Sequence, residues 1–250
     1  MTSKKFAFSI LVVCSLFSVA HAGTTHSSHW NYQEGNTGPT HWGELSSEYA
    51  TCKVGQHQSP IDITQGVKTQ LPPLNFHYQP TPLEIENNGH SIKINAPAGT
   101  LKIGEDTYSL QQLHFHTPAE EAINGKRAAI VAHLVHQDAQ KHLAVVAVMM
   151  NEGAENPLIE AAWKVLPKKP GTPQKHPTQI DVNQLLPQGK EYYTYEGSLT
   201  TPPCTEGVKW VVLKEPMTLS AKQLEEFKKI YPHNARPLQP LNDRKVLSSN

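Results

Sequence analysis

The chain has 250 residues, enough for one domain with a sizeable core or for two small ones. Its 22 lysine and arginine residues balance 22 acidic residues, and this neutrality argues against a nucleic-acid partner. Only 18% of the residues are charged and 20 are prolines, a composition that favours a loop-rich β protein over a helical bundle.

The N-terminal residues have the pattern of an export signal. A basic start at residues 4–5 precedes a short apolar run at 6–19 and a small-x-small cleavage sequence at 20–22. The alternative is a membrane anchor, but the run is shorter than the roughly 20 apolar residues that span a bilayer. We therefore predict a cleaved signal peptide over residues 1–22, no stable membrane insertion, and a domain over 23–250 that is exported to a periplasm or secreted.

The mature chain would keep two cysteines, Cys52 and Cys204. In an exported chain, two cysteines favour one disulfide over the alternative of two buried free thiols. Closing a loop of this length would stabilise the fold by about 5 kcal/mol in the chain-entropy model, as an upper figure.

Strands are predicted from residue 83 onward. Apolar and polar residues alternate over 83–86 and again over 91–95, with an Asn-Asn-Gly turn between them. Similar patterns predict extended segments at 100–103, 108–110, 111–116 and 129–136, a hairpin turn at 124–126, and a fully covered central strand at 143–150. The two segments that carry histidines, 111–116 and 129–136, are expected to be antiparallel or near neighbours in one sheet.

Loops and helices complete the prediction. Residues 39–43 and 58–63 are interpreted as loops, whereas Asn156-Pro157 starts a helix to about Leu166 and Ser220 opens a capping-box helix to about Ile230. We therefore predict a mainly β (α+β) single domain, built on a large, twisted, mostly antiparallel central sheet with a few short peripheral helices.

A candidate metal site lies on the strand over residues 111–116. His114 and His116 are two apart, so both imidazoles point to one face, as ligands of a zinc-like ion would. A third ligand would come from a neighbouring strand, where His133 and His136 face opposite sides because they are three apart. The residues alone leave either choice open, and they also leave open that all four are structural histidines.

Three histidines with one open position form the catalytic pattern of zinc, in which a bound water loses its proton near neutral pH. Six blocks of sequence lie in order along nearly the whole mature chain: QSPIDI at 58–63, NNGH at 87–90, QLHFH at 112–116, AHLVH at 132–136, GSLTTPPCTEG at 197–207 and NARPLQP at 234–240. These blocks resemble the α-class carbonic anhydrases, and the cysteine pair resembles the bacterial branch most.

The resemblance implies reversible hydration of carbon dioxide to bicarbonate and a proton by zinc-bound hydroxide, with one Zn²⁺ per chain. It implies His114, His116 and His133 as the ligands and Gln112 as a hydrogen-bonding partner of one of them. Carbon dioxide and bicarbonate are the expected small-molecule partners. The sequence leaves the choice between a monomer and a homodimer open. A non-catalytic, carbonic-anhydrase-like binding module is the alternative function.

Further roles follow from the same resemblance. Thr200 would orient the nucleophile and donate its own proton to a buried acid, for which Glu120 is favoured and Glu121 is the competing choice. His90 would be the proton shuttle, reached through waters that Tyr32 and Asn88 organise. The resemblance also implies cis peptide bonds before Pro60 and Pro203, and an apolar substrate wall with a bicarbonate-side threonine: Val135, Val145, Leu199, Trp210 and Thr201.

One departure from the family concerns His133. Two residues before this ligand the family commonly has a glutamate that bonds the free imidazole nitrogen, but this chain has Val131. Because valine offers no acceptor, His133 needs another partner. We expect zinc to leave faster than in relatives that have the acid.

Overall fold

The computed structural model describes residues 29–250. The predicted signal peptide and the first residues of the predicted mature domain lie outside this part. Within it, strands outnumber helices, as predicted. The strands are β1 Asp62–Ile63, β2 Val67–Lys68, β3 Leu74–Tyr78, β4 Thr81–Asn87, β5 Ile92–Asn95, β6 Gly99–Ile103, β7 Asp106–His116, β8 Ala122–Ile123, β9 Ile130–Gln137, β10 Leu143–Glu152, β11 Gln174–Ile180, β12 Tyr192–Ser198, β13 Glu206–Leu213, β14 Met217–Leu219 and β15 Leu247–Ser248.

Within residues 29–250, thirteen strands form one sheet, in the order β11-β4-β5-β7-β9-β10-β13-β12-β15-β2, with β14 on β10 and with β6 linking β3 to β7. Most neighbours are antiparallel, whereas β13 and β14 run parallel to β10 and β2 runs parallel to β15. The predicted large, mostly antiparallel sheet is therefore confirmed. A separate pair of parallel strands, β1 and β8, lies beside it.

The central strand β10 separates two apolar cores, because its successive side chains point to opposite faces. Val146 and Val148 belong to the larger core, which the helices help to cover. Val145 and Ala147 belong to a second core on the other face, together with Trp210. This division explains the unbroken apolar sequence of β10, since both of its faces are buried.

The helices are short and peripheral: α1 Trp42–Leu45, α2 Thr51–Val54, α3 Pro157–Trp163 and α4 Ala221–Lys228. Asn156 caps α3 by accepting hydrogen bonds from two backbone N–H groups, and Ser220 forms the predicted capping box of α4 with Gln223. Both helices end two or three residues before the predicted positions and continue as turns. Among residues 29–250, none of the helices has the length and hydrophobicity that a membrane crossing requires.

Two segments that were predicted to be loops contain short regular elements. These elements form through local turns and strand pairing that no periodic pattern in the sequence indicates. Helix α1 begins inside the segment 39–43, and β1 occupies the end of the segment 58–63. The disulfide prediction is confirmed, with Cys52 of α2 bonded to Cys204. The bonds before Pro60 and Pro203 are cis, as the resemblance implied, and so is the bond before Pro118.

Candidate metal centre

Three histidines meet on one face of the sheet. In the antiparallel pairing of β7 with β9, His114 lies directly opposite His133, and His116 lies two residues further along β7 on the same face. One nitrogen of each imidazole lies within 4.8 Å of the others, and His116 and His133 are almost fully buried. His136 points to the opposite face, where it bonds the hydroxyl of Tyr78. The register thus selects His133 and excludes His136 from the group.

Two of the imidazoles have their outward nitrogens hydrogen-bonded. Nδ1 of His114 lies 2.9 Å from Oε1 of Gln112, and Nδ1 of His116 lies 2.7 Å from the backbone oxygen of Asn234. Oxygen acceptors place the proton on Nδ1, so the lone pair of Nε2 points into the group. Within residues 29–250, the buried Nε2 of His116 has no hydrogen-bond partner. An unpaired buried nitrogen beside two other imidazoles fits a bound metal ion.

The partner of His133 is Glu121, which the resemblance indicated only as the competing choice for the buried acid that accepts a hydrogen bond from Thr200. Its two carboxylate oxygens lie 3.0 and 3.3 Å from Nε2 of His133. That leaves Nδ1 of His133 for the group. The sequence signal that could have revealed this contact is the doubled acid at 120 and 121 combined with the missing acid at Val131.

Electrostatics differ among the three imidazoles. Burial lowers the pKa of His114 and His116, and for His114 the neighbouring histidines lower it further. Burial alone would also lower the pKa of His133, but the charge and hydrogen bond of Glu121 outweigh it and raise that pKa. In return, His133 holds the pKa of the Glu121 carboxyl below its usual range despite burial. The ligand group thus contains two readily neutral imidazoles and one imidazole polarised by a carboxylate.

The second buried acid, Glu120, has different contacts. Its Oε1 accepts a hydrogen bond of 2.8 Å from the backbone N–H of Arg236. Its Oε2 lacks a hydrogen-bond partner among the described residues, so the bond from Thr200 that the resemblance implies is not formed in this structure. Oε2 lies 3.9 Å from Nδ1 of His133, which places the free acceptor at the edge of the histidine group.

The loop that carries Thr200 is held at several points. The backbone N–H of Leu199 donates to the oxygen of Thr205, and that of Cys204 donates to the oxygen of Thr201. The backbone oxygen of Cys204 accepts a further bond from the side chain of Gln58. Together with the disulfide to α2, these bonds fix the loop over residues 199–205 beside the sheet.

The predicted shuttle side contains aromatic rings. The half-buried ring of His90 stacks on Trp30 with 3.6 Å between ring centroids and an interplanar angle of 7°. Burial lowers the pKa of His90, and the nearby His29 lowers it further. The side-chain oxygen of Asn88 accepts bonds from the backbone of residues 90 and 91. Tyr32 is packed near His116, and its buried hydroxyl has no partner in the described chain.

The predicted wall residues form a row across three strands. Val135 on β9 faces Val145 on β10, which faces Trp210 on β13. The Trp210 ring lies 4.9 Å from the ring of His133, measured between centroids. Leu199 packs against the same apolar core, and Thr201 is half-buried nearby on the loop. The row therefore gives the histidine group one dry, apolar side.

A family model described as eukaryotic-type carbonic anhydrase matches residues 37–250. The carbonic anhydrase of Klebsiella pneumoniae is 47% identical over 90% of this chain and 92% of its own length, and that of Pectobacterium carotovorum is 43% identical over 90% and 93%. The solved α-carbonic anhydrase of Thermovibrio ammonificans, in complex with sulfanilamide, is 45% identical, covers 88% of this chain and 99% of its own, and has a TM-score of 0.85.

Proposed function

This chain belongs to the carbonic anhydrase family of enzymes, and from that premise we propose that it hydrates carbon dioxide reversibly to bicarbonate and a proton with one zinc ion. The observation that carries the proposal is the group formed by His114, His116 and His133, whose nitrogens lie within 4.8 Å of one another. The partnerless buried Nε2 of His116 supports a metal at this place.

Zinc at this site would act as a Lewis acid that makes water a nucleophile near neutral pH. The chain's own contribution starts with orientation. The outward N–H of each imidazole donates a hydrogen bond to an oxygen acceptor. These acceptors are Gln112, the Asn234 carbonyl and Glu121. Each bond selects one tautomer and turns the remaining lone pair inward, so three ligand atoms converge without rearrangement.

Thr200 and Glu120 would orient the attacking water. The Thr200 hydroxyl would accept a hydrogen bond from the nucleophile. It can do so only while it donates its own proton to another acceptor, which we assign to Glu120. Glu120 supports this role because its Oε2 is buried and has no other partner among residues 29–250. Its Oε1 is held by the Arg236 backbone, which keeps the carboxylate in a fixed orientation.

Substrate would approach from the apolar row of Val135, Val145 and Trp210. Carbon dioxide is linear and nonpolar, so a dry wall can hold it near the nucleophile without a polar contact. Leu199 extends the wall, and Thr201 would contact the bicarbonate product from the loop.

The released proton would leave through His90. A group that both accepts and gives up a proton near neutral pH suits this step, and histidine is the usual one. The half-buried position of His90 against Trp30 supports a place at the rim. Tyr32 and Asn88 would organise the waters between this ring and the metal centre.

We also propose that residues 1–22 are removed on export and that residues 23–250 form the mature domain, in a periplasm or outside the cell. The disulfide between Cys52 and Cys204 supports this location, because disulfides persist in oxidising compartments. A mature N-terminus at residue 23, read by mass spectrometry of the exported protein, tests it. Retention of the first 22 residues would contradict the proposal.

Stopped-flow hydration of carbon dioxide, with zinc content measured on the same sample, tests the function. The wild-type chain should bind one zinc and be active, and His116→Gln should lose both properties because one of three ligands is removed. The control is His77→Gln, since His77 is an exposed histidine of β3. A fully metallated wild-type protein without activity would refute the enzyme proposal and favour the non-catalytic binding module.

A further inference from the structure

The three histidines of the metal centre are held in three different ways. Gln112 lies two residues before His114 on the same strand, so their side chains share a face and bond at 2.9 Å. The equivalent strand position for His133 is Val131, which is fully buried in the apolar core. Strand β9 therefore offers His133 no side-chain acceptor of the kind that β7 offers His114.

Glu121 supplies the hydrogen-bond acceptor for His133 that Val131 lacks. It follows the end of β7 rather than preceding His133 on β9, and its side chain is completely buried. Both of its carboxylate oxygens approach Nε2 of His133. Among the described residues, the His133 imidazole is the only side chain that forms a hydrogen bond or ion pair with this carboxylate.

Burying a carboxylate costs on the order of several kcal/mol of desolvation free energy unless a cationic or strongly polarised group faces it. The buried guanidinium of Arg236 donates its hydrogen bonds to the backbone oxygens of Ser59 and Cys52 instead. Among the side chains of residues 29–250, Glu121 therefore pairs with His133 alone.

We propose that Glu121 is a positioning residue that holds the proton of His133 on Nε2 and thereby keeps Nδ1 directed at the metal. Its negative charge also offsets part of the charge of the metal centre. The two adjacent acids have different roles. Glu120 accepts a hydrogen bond from the Arg236 backbone and directs Oε2 towards the histidine group, whereas Glu121 accepts the hydrogen bond of one ligand, His133. The inference rests on the proposed zinc site, but it concerns metal retention rather than turnover.

The test uses the zinc-loaded protein and a colorimetric chelator that reports the rate of zinc release. Glu121→Gln keeps the shape of the side chain and one acceptor oxygen but removes the charge. We expect zinc release to accelerate about 10- to 100-fold, the range typical for losing a hydrogen-bond partner of a metal ligand. The matched control is Glu155→Gln, an exposed acid in the loop before α3, which should leave the rate unchanged.

A second variant separates positioning from a merely structural role. The double variant Glu121→Gln/Val131→Glu restores a carboxylate near His133, but on β9. The new glutamate lies two residues before His133, the same spacing by which Gln112 precedes His114. It should restore slow zinc release to within a few-fold of wild type. NMR of ¹⁵N-labelled imidazoles gives a readout independent of activity, because the Nε2–H signal of His133 should shift in the single variant and recover in the double variant.

The outcomes separate this inference from the proposed function. Release from Glu121→Gln at the wild-type rate, or an unshifted His133 signal, would overturn the role of Glu121 even if the enzyme is fully active. If Glu121→Gln does not fold, Glu121→Asp retains the charge one methylene further away, and wild-type release from it would equally overturn the inference. An inactive wild-type protein with the expected release rates would refute the function and leave the role of Glu121 standing.

Discussion

His136 should make the protein sensitive to acid without touching the metal centre. It is fully buried on the far face of β9, with Nε2 2.6 Å from the Tyr78 hydroxyl and Nδ1 3.3 Å from the Ala144 backbone oxygen. When the ring is neutral, Nε2 accepts a hydrogen bond from the hydroxyl while Nδ1–H donates to the carbonyl, and protonation would remove the acceptor at Nε2. Burial accordingly lowers the pKa of His136 from 6.5 to about 4.

The magnitude follows from linkage between protonation and folding. In the unfolded chain His136 takes up a proton as the pH falls below about 6.5, whereas the folded chain resists protonation until about pH 4. The unfolded state binds the extra proton in this window, so stability is lost as the pH falls through it. A shift of this size corresponds to about 3 kcal/mol, and the side chain is buried enough that solvent screening is small.

Urea unfolding of the zinc-free protein at pH 7 and pH 4 measures this contribution. His136→Gln is less stable at pH 7, because it loses the Tyr78 contact, but its stability should fall less on acidification, by about 3 kcal/mol relative to wild type. His77→Gln is the control, since it removes an exposed histidine next to Tyr78 on β3. If wild type and His136→Gln lose the same stability between the two pH values, the reasoning is refuted.

Three further predictions concern the disulfide, the shuttle and a helix cap. Replacing both disulfide cysteines with serine should lower the free energy of unfolding by up to about 5 kcal/mol, because the bond spans a separation of 152 residues, and a loss below about 1 kcal/mol in urea would contradict this. The NMR titration midpoint of His90 should lie below 6.5 and rise in Trp30→Ala, which exposes the ring; a midpoint at or above 6.5 in wild type would be inconsistent with its burial. Ser220→Ala should cost about 1 kcal/mol in thermal or urea unfolding by removing the capping box of α4, and an unchanged stability would show that the cap is dispensable.

Local patterns in the sequence were enough to predict most strands and both longer helices. Alternation revealed β4 and β5, and the Asn124-Gly125 turn, with positive φ at both residues, appears where the hairpin was predicted. The spacing of His114 and His116 likewise fixed a shared face, because the period of a strand is independent of what surrounds it. These features depend on neighbours within a few residues, so a single sequence carries them.

Long-range pairing could not be predicted in the same way. Nothing local shows that β13 runs parallel to β10, or that β7 and β9 align so that His114 faces His133 instead of His136. The choice of third ligand from residues alone therefore stayed open until register decided it. A slip of one residue in that pairing would have reversed the faces of His133 and His136, since register and face are coupled in a sheet.

The support of the three ligands shows why a ligand motif is an incomplete description of this site. The acceptors for the outward nitrogens come from Gln112 on β7, Glu121 just beyond it and the Asn234 backbone near the C-terminus. Three segments separated by up to 122 positions must be in place before the inward lone pairs converge. Metal affinity is therefore a property of the assembled fold, because the cost of orienting each imidazole is met by folding rather than by metal binding. It also follows that Val131 does not leave His133 unsupported: the required chemistry is a buried acceptor at Nε2, and any segment that can deliver a carboxylate there can supply it.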